Sequence, residues 1–393
     1  MDPTKLERRV TPDRKRDASP KGAHLSRSSV YPNFREGKSR LEIVEKKGKA
    51  LDTCATIGNA FVCCNVKVLK SIHNCPFDCS YCFLQNYLTD GTTKVIGNID
   101  AIMAEVDEQC RLEPNRFFRI GNWELGDSLA LEPETGHSRQ LIAAFSKRKN
   151  VVLELKTKSD CVDSILDCDH QCKTVVSWSL NPDEIIRSEE HRTACLADRI
   201  LAIKKVAEAG YPIGLHFDPM IYYPDWKNGY SSLIAQLFDV ISANQIAWIS
   251  IGSLRFNPEQ KEKMEANFPR QTLTASEMVL APDNKIRYVK PLRIEMYQFL
   301  YHLLCNACQI NSLSPTKAPD PNRPILYFCM ERQDIYQKVM GEHPQGIAEL
   351  DYLFAFHMFH RFHIPGQSTP DPSYYTDSRN DKFTEAVDLD NSK

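Results

Sequence analysis

Three cysteines, Cys75, Cys79 and Cys82, stand in the stretch Asn74-Cys75-Pro76-Phe77-Asp78-Cys79-Ser80-Tyr81-Cys82-Phe83, spaced C-x3-C-x2-C. A loop this tight brings three soft ligands together, and cubane iron–sulfur clusters are held by cysteine thiolates at short, fixed spacings. Three ligands for four irons leave one iron open. An open position marks a centre that activates something, whereas a structural site is closed by a fourth protein ligand. The same thiols would also serve as part of a zinc site, completed by His73 or by a distant C-x2-C pair such as Cys305 and Cys308. That second pair falls on what reads as a helix over 296–308, where core packing is the simpler account.

Composition points to a reducing compartment. The chain has 393 residues and is 42% hydrophobic, enough for one large domain or two smaller ones. Residues 1–21 are charged and lack an apolar signal core, and no run approaches the length of a membrane span. The fourteen cysteines are therefore expected as free or metal-bound thiols in the cytoplasm. Net charge is −2, but residues 1–49 hold 14 Lys and Arg against 7 Asp and Glu, a local +7 that leaves −9 for the rest. Two readings of this basic arm are open: it steers the protein to nucleic acid, or it is a solvated, largely disordered leader. Residues 365–393, with 6 acids against 3 bases, read as a disordered acidic tail.

Between these ends, apolar β-rich runs at 61–69, 117–121, 151–155, 174–180, 213–217 and 246–251 predict six strands. Helical stripes separate them: Ile99, Ile102, Val106 and Cys110; Leu196, Ile200, Ile203 and Val206; Leu233, Leu237, Val240 and Ile241. Gly210 stands where a C-cap glycine would stop the second. Strands alternating with helices imply parallel pairing with right-handed crossovers, an α/β barrel or doubly wound sheet. The cysteine loop follows the first strand, and chemistry in such folds gathers at the C-terminal ends of strands.

The cysteine loop, with an aromatic residue on each side of Cys82, resembles that of the radical S-adenosylmethionine superfamily. A closer resemblance lies in an ordered set of segments: Phe61-Val62-Cys63-Cys64-Asn65, residues 74–86, Arg119-Ile120-Gly121-Asn122-Trp123-Glu124-Leu125-Gly126-Asp127, residues 206–214, His216-Phe217-Asp218-Pro219, residues 226–230 and Leu326-Tyr327-Phe328-Cys329-Met330-Glu331. Together, over about residues 61–340, they are similar to the spore photoproduct lyase family.

The resemblance implies a partial six-stranded (β/α) barrel over 50–260, a C-terminal extension packing on it over 261–364, and disordered tails at 1–49 and 365–393. It implies a [4Fe–4S] cluster on Cys75, Cys79 and Cys82, and S-adenosylmethionine on the open iron. The backbone around Phe83 would meet the adenine. Gly121 and Glu124, with Asp127 as a second acceptor, would receive the methionine amino group, and Lys158, Ser179 and Asn181 would face the methionine carboxylate and ribose. The reaction implied is hydrogen abstraction by a 5′-deoxyadenosyl radical. Its partners would be a damaged pyrimidine in DNA or a nucleotide, and an electron donor such as flavodoxin or ferredoxin.

The chain departs from that family where hydrogen is returned to the product. The family's donor cysteine falls at or beside Glu124, and no cysteine occurs between Cys110 and Cys161. Tyr81 stands at its expected relay position, but the next relay position is Phe83, which has no hydroxyl. Either another thiol serves, with Cys329 the best placed, or the substrate differs. His216 and Asp218, two apart on a strand and so on one face, read as lining the substrate pocket. Lys285, Arg287, Tyr288, Lys290 and Arg293 make a basic and aromatic stretch suited to nucleic acid, or an ordinary exposed loop entering a helix. A non-enzymatic zinc or iron–sulfur protein that binds nucleic acid is the remaining alternative.

Overall fold

The computed structural model describes residues 8–9, 37–54, 61–88 and 91–375. Eight strands lie side by side in chain order in one open, curled sheet: β1 (Leu51–Thr53), β2 (Lys67–Leu69), β3 (Phe118–Gly121), β4 (Val151–Thr157), β5 (Thr174–Ser179), β6 (Ile213–Met220), β7 (Ile246–Ser253) and β8 (Ile325–Phe328). β1 is antiparallel to β2, and every other neighbouring pair is parallel. The six predicted strands are β2 to β7, in the predicted order. The result is the partial (β/α) barrel, widened by one strand at each edge.

Two differences from expectation have local causes. The first strand does not run from 61 to 69, because Asn65 adopts a left-handed conformation (φ 53°) that turns the chain. Phe61–Val62 is thereby diverted to pair with Glu331–Arg332, and only Lys67–Leu69 joins the sheet. Segment 261–364, expected as an extension packing on the barrel, also supplies β8.

Helices α1 (Ile99–Leu112), α2 (His137–Phe145), α3 (Leu196–Glu208), α4 (Trp226–Phe238) and α5 (Lys290–Ala307) follow, with α6 (Gln333–Met340) and α7 (Ile347–Phe362) after β8. The predicted stripes are the buried ones: Ile102 and Val106 on α1, Leu196, Ile200, Ile203 and Val206 on α3, Leu233 and Leu237 on α4. Burying each such aliphatic side chain contributes about 1.5–3 kcal/mol. Gly210 has φ 86° just beyond α3, a left-handed value that glycine adopts freely. Only a short 3-10 turn, Asp163–Ile165, spans β4 to β5. Cys305, on α5, and Cys308, its C-cap, are buried in the core.

The end regions are only partly described. Arg40–Val44 forms a strand parallel to Thr93–Ile96, so that part of the basic arm belongs to the folded body. Residues 365–375 also pack on the barrel: Tyr375 is buried, its hydroxyl accepts from the Phe117 amide, and Ser368 pairs with Asn150. The rest of the predicted arm and tail, residues 1–7, 10–36 and 376–393, lies outside the described residues. No helix among the described residues is long and apolar enough to cross a membrane.

Two histidines couple this fold to pH. His137, on α2, and His357, on α7, are buried, and desolvation holds both imidazoles down at about 4. Their free value is about 6.5, so the unfolded chain binds the extra protons and stability falls as pH drops through that window. Urea unfolding should show the free energy declining from pH 7 to pH 4.5, and the decline should be shallower in His137→Asn. An equal slope in both proteins would contradict the assignment.

Candidate active site

The cysteine loop is clamped by the chain around it. Asp78–Cys79 forms an antiparallel bridge with Glu190–His191, and Ser80 N–H donates to the Glu189 carbonyl at 2.8 Å. Gln85 and Gln260 donate to the carbonyls of Ser80 and Tyr81 at 2.8 and 3.0 Å. Asn74, left-handed at φ 69°, caps the Cys75 amide with its side-chain oxygen. Cys79 is buried, while Cys75 and Cys82 are partly exposed, and all fourteen cysteines are free of disulfides. Burial pushes the Cys79 thiol up to about 12 against the pull of Lys158, and burial with nearby Asp127 raises Cys75.

Three thiols on one clamped loop are the donor set a cubane uses. A tetrahedral zinc site needs its ligands about 2.0–2.3 Å from one point. Among the described residues no three His, Cys, Asp or Glu side chains converge in that way. In a cubane each thiolate binds its own iron.

Lys158 stands next to this loop. Its ammonium lies 5.7 Å from the Tyr81 ring centroid. Burial would lower its pKa, but Cys79 and Glu190 raise it on balance, so it stays a cation. Asp127 aims it: one carboxylate oxygen accepts from the Lys158 amide at 2.8 Å, the other from Thr157 Oγ1 and the amides of Leu129 and Ala130. With four donors of its own chain, Asp127 braces the strand end. Glu124 is half-buried near Lys70 and Lys156, and burial raises its carboxyl.

Gly121 ends β3 under the indole of Trp123, with which any Cβ there would collide. Asn181 is engaged within the protein: its amide donates to Glu190 and its oxygen accepts from Tyr230 hydroxyl, both at 2.9 Å. Ser179 is buried beside it, its carbonyl held by Arg199 at 2.8 Å. Phe83 is on the rim, 45% exposed, and opens the short helix Leu84–Tyr87.

The sequence reading passed over Glu190. Its carboxylate accepts from Tyr81 hydroxyl, Asn181 and Arg199, the last at 2.6 Å with both side chains fully buried. Burial would raise its pKa, yet Arg199 and Lys158 hold it down at about 2. Glu154, lodged within an apolar strand, was a legible signal. It accepts from Ser177, His216 and Trp248 through one oxygen and from Trp123 through the other, at 2.7–3.1 Å. Burial alone would raise Glu154, but His216, Arg119 and Lys156 drive it below the usual carboxylate range.

His216 and Asp218 do share the inner face, each with its own partner. Asp218 forms a bidentate pair with Arg255 at 2.7 and 3.1 Å, and Arg255 also reaches Cys329 Sγ at 3.2 Å. Lys156 links the two sides of the mouth: it senses Asp218 and Cys329 on one hand and Lys158 on the other, with its ammonium 3.5 Å from the Trp123 ring centroid. Tyr81 lies beside Lys158, and Cys329 beside Arg255.

The basic stretch at 285–293 is not the exposed patch it resembled. Arg287, Tyr288 and Arg293 are buried; Arg287 pairs with Asp283, Arg293 with Glu331 at 2.9 Å, and Tyr288 hydroxyl caps the Tyr222 amide. Lys290 pairs with Asp334, and Lys285 is half-buried against Met330. Buried, neutralised arginines bind the hairpin of Met278–Leu280 and Ile286–Tyr288 to β8's end and are not available to phosphates.

Comparison with known proteins agrees with this architecture. A family model described as spore photoproduct lyase matches residues 67–301. The spore photoproduct lyase of Clostridium acetobutylicum is 25% identical over 242 residues, 61% of this chain and 70% of that protein. That of Bacillus subtilis is 29% identical over 208 residues, 52% of this chain and 60% of that protein. Among solved structures, a spore photoproduct lyase variant with dinucleoside spore photoproduct superposes with a TM-score of 0.63 at 22% identity, over 70% of this chain and 81% of that one. A double mutant with bound AdoMet and dinucleoside spore photoproduct gives 0.62 at 21%, over 73% and 85%. With the family model covering more than half the sequence and the barrel shared, the chain belongs to the spore photoproduct lyase family, enzymes of the radical S-adenosylmethionine class.

Proposed function

We propose that the protein binds a [4Fe–4S] cluster through Cys75, Cys79 and Cys82, binds S-adenosylmethionine beside it, and abstracts a hydrogen atom from a pyrimidine-derived substrate in DNA or a nucleotide. The observation that carries this reading is the clamped three-thiol loop set against Lys158 at the C-terminal end of β4. When bound, cluster and cofactor supply a 5′-deoxyadenosyl radical. The chain does the rest. Lys158, held by Asp127, offers a cation to the methionine carboxylate, and Glu124 offers an anion to the amino group. Ser179 and Asn181 shape the wall behind the ribose, with Asn181 fixed by Glu190 and Tyr230. The Phe83 backbone forms the adenine edge. The substrate enters over Lys156, His216 and Asp218.

The product radical needs a hydrogen atom, and by the resemblance the family's thiol falls at or beside Glu124. A carboxyl O–H is too strong a bond to give one readily. Cys329 is assigned that step: its S–H bond breaks, a C–H bond forms on the product, and a thiyl remains on sulfur. Tyr81, hydrogen-bonded to Glu190, is positioned to exchange a hydrogen on the cofactor side. The absent family thiol and Phe83 in place of a relay tyrosine favour a second reading, a substrate other than the spore dimer.

Incubating reduced, cluster-loaded protein with S-adenosylmethionine and ultraviolet-irradiated DNA separates the two. Loss of a photoproduct with recovery of pyrimidine supports the first reading, and intact photoproducts with continued cofactor cleavage support the second. For whichever substrate is found, Cys329→Ala should still consume it but divert about ten-fold more of it to incompletely reduced products, read by mass spectrometry. Unchanged product partition would remove Cys329 from the reaction.

A further inference from the structure

Resting on the reading of Cys329 as hydrogen donor, we propose that Asp218 and Arg255 are positioning residues: Arg255, held by Asp218, fixes the direction of the Cys329 thiol at the barrel mouth, and Asp218 keeps the proton on the sulfur against the pull of Arg255. A thiolate has no hydrogen atom to give, so a donor thiol surrounded by cations needs a device that holds its proton. The geometry supplies one. Arg255 spends its two terminal nitrogens on the Asp218 carboxylate, at 2.7 and 3.1 Å, and on the Ser253 carbonyl at 3.1 Å, so only one N–H, 3.2 Å from Sγ, is turned to the thiol. The backbone holds the other end, because Cys329 N–H donates to the Ile251 carbonyl at 2.8 Å and continues the β7–β8 ladder.

Gly252 sets the spacing. A Cβ at that position would sit 2.5 Å from Asp218 Oδ1 and 2.9 Å from Arg255 Nη1, so a side chain there would force the ion pair apart. Cys329 and Asp218 are both partly exposed at the end of the sheet.

Every charged neighbour bears on the outcome. Asp218 on β6 opposes a thiolate; Arg255 after β7, Lys156 on β4 and Lys285 from the hairpin before α5 favour one. Cys64, before β2, raised by its hydrogen bond with Cys63 and by burial, and the phenols of Tyr327 on β8 and Tyr336 on α6, raised by burial, hold their protons. Burial and Asp218 outweigh Arg255, and the thiol titrates well above its ordinary value.

The test reads alkylation of Cys329 by iodoacetamide against pH in the full-length, cluster-loaded protein, resolved at that residue by peptide mass spectrometry. Asp218→Asn leaves three cations facing the sulfur, and the alkylation midpoint should fall by about one pH unit or more. Arg255→Met leaves the carboxylate unopposed and should raise it. Arg255→Lys, a milder change should either of these misfold, should shift the midpoint in the same direction as Arg255→Met by less. Midpoints that stay put, or that move the same way in Asp218→Asn and Arg255→Met, would overturn the proposal. The midpoint is read without turnover, so it stands or falls separately from the donor role, which the Cys329→Ala product partition decides.

Discussion

Cys79→Ala should fold, fail to take up its cluster, and lose 5′-deoxyadenosine formation by more than about a hundredfold, since even an outer contact at a metal site is worth 10- to 100-fold. Folding should survive because Cys79 is a small buried side chain whose loop is held by other contacts: the bridge to Glu190, the Ser80 amide on Glu189, and the two glutamines. The cost of the missing sulfur is about 1 kcal/mol. Iron content and visible absorbance after anaerobic reconstitution give the result directly. Full iron loading with undiminished cleavage in Cys79→Ala would take the cluster away from this loop.

The largest effect on stability is expected at Glu190. Glu190→Ala leaves the Arg199 guanidinium fully buried with no carboxylate, and removes the acceptor for Tyr81 and Asn181. Breaking a buried pair by deleting one partner costs about 3–5 kcal/mol. The loss should appear in denaturant unfolding and, through the bridge to Cys79, as weaker cluster retention. Glu190→Gln, which keeps the shape and one acceptor oxygen, should fall between. An alanine variant within 1 kcal/mol of the parent would mean that Arg199 finds another partner.

What was legible in the sequence followed from local physics. Strands β2 to β7 and helices α1, α3 and α4 were visible because apolar side chains repeat at the period of the element they build. The three cysteines were visible because their spacing is local and chemically specific. β8 was hidden: four residues after a proline, Ile325–Phe328 show no alternation that distinguishes them from any short buried run. The break at Asn65 was hidden because a single left-handed residue leaves no periodic trace.

The supporting polar groups were the hardest to see. Glu190 and Arg199 sit nine residues apart on either side of a turn, in a charged run that reads as a solvated surface. Their burial depends on contacts distant in sequence, Tyr81 of the cysteine loop on Glu190 and the Ser179 carbonyl on Arg199. Arg287 and Arg293 misled in the opposite sense, because only Asp283 and Glu331, the latter brought from beyond β8, show that these cations are neutralised inside. Glu154 differs, since a lone acid in Val151–Thr157 announces that something must pair with it.

The chain shares the family's barrel, and the resemblance sets Phe83 and a residue at or beside Glu124 where the family's hydrogen return uses a phenol and a thiol. Radical generation and radical quenching are accordingly assigned to separate sides of the mouth, Cys79 and Lys158 on one, Cys329 with Asp218 and Arg255 on the other, bridged by Lys156. The central claim concerns the first side. Anaerobically reconstituted protein, reduced with dithionite and given S-adenosylmethionine, should release 5′-deoxyadenosine and methionine in equal amounts. A fully loaded, reduced cluster that leaves the cofactor intact would contradict it.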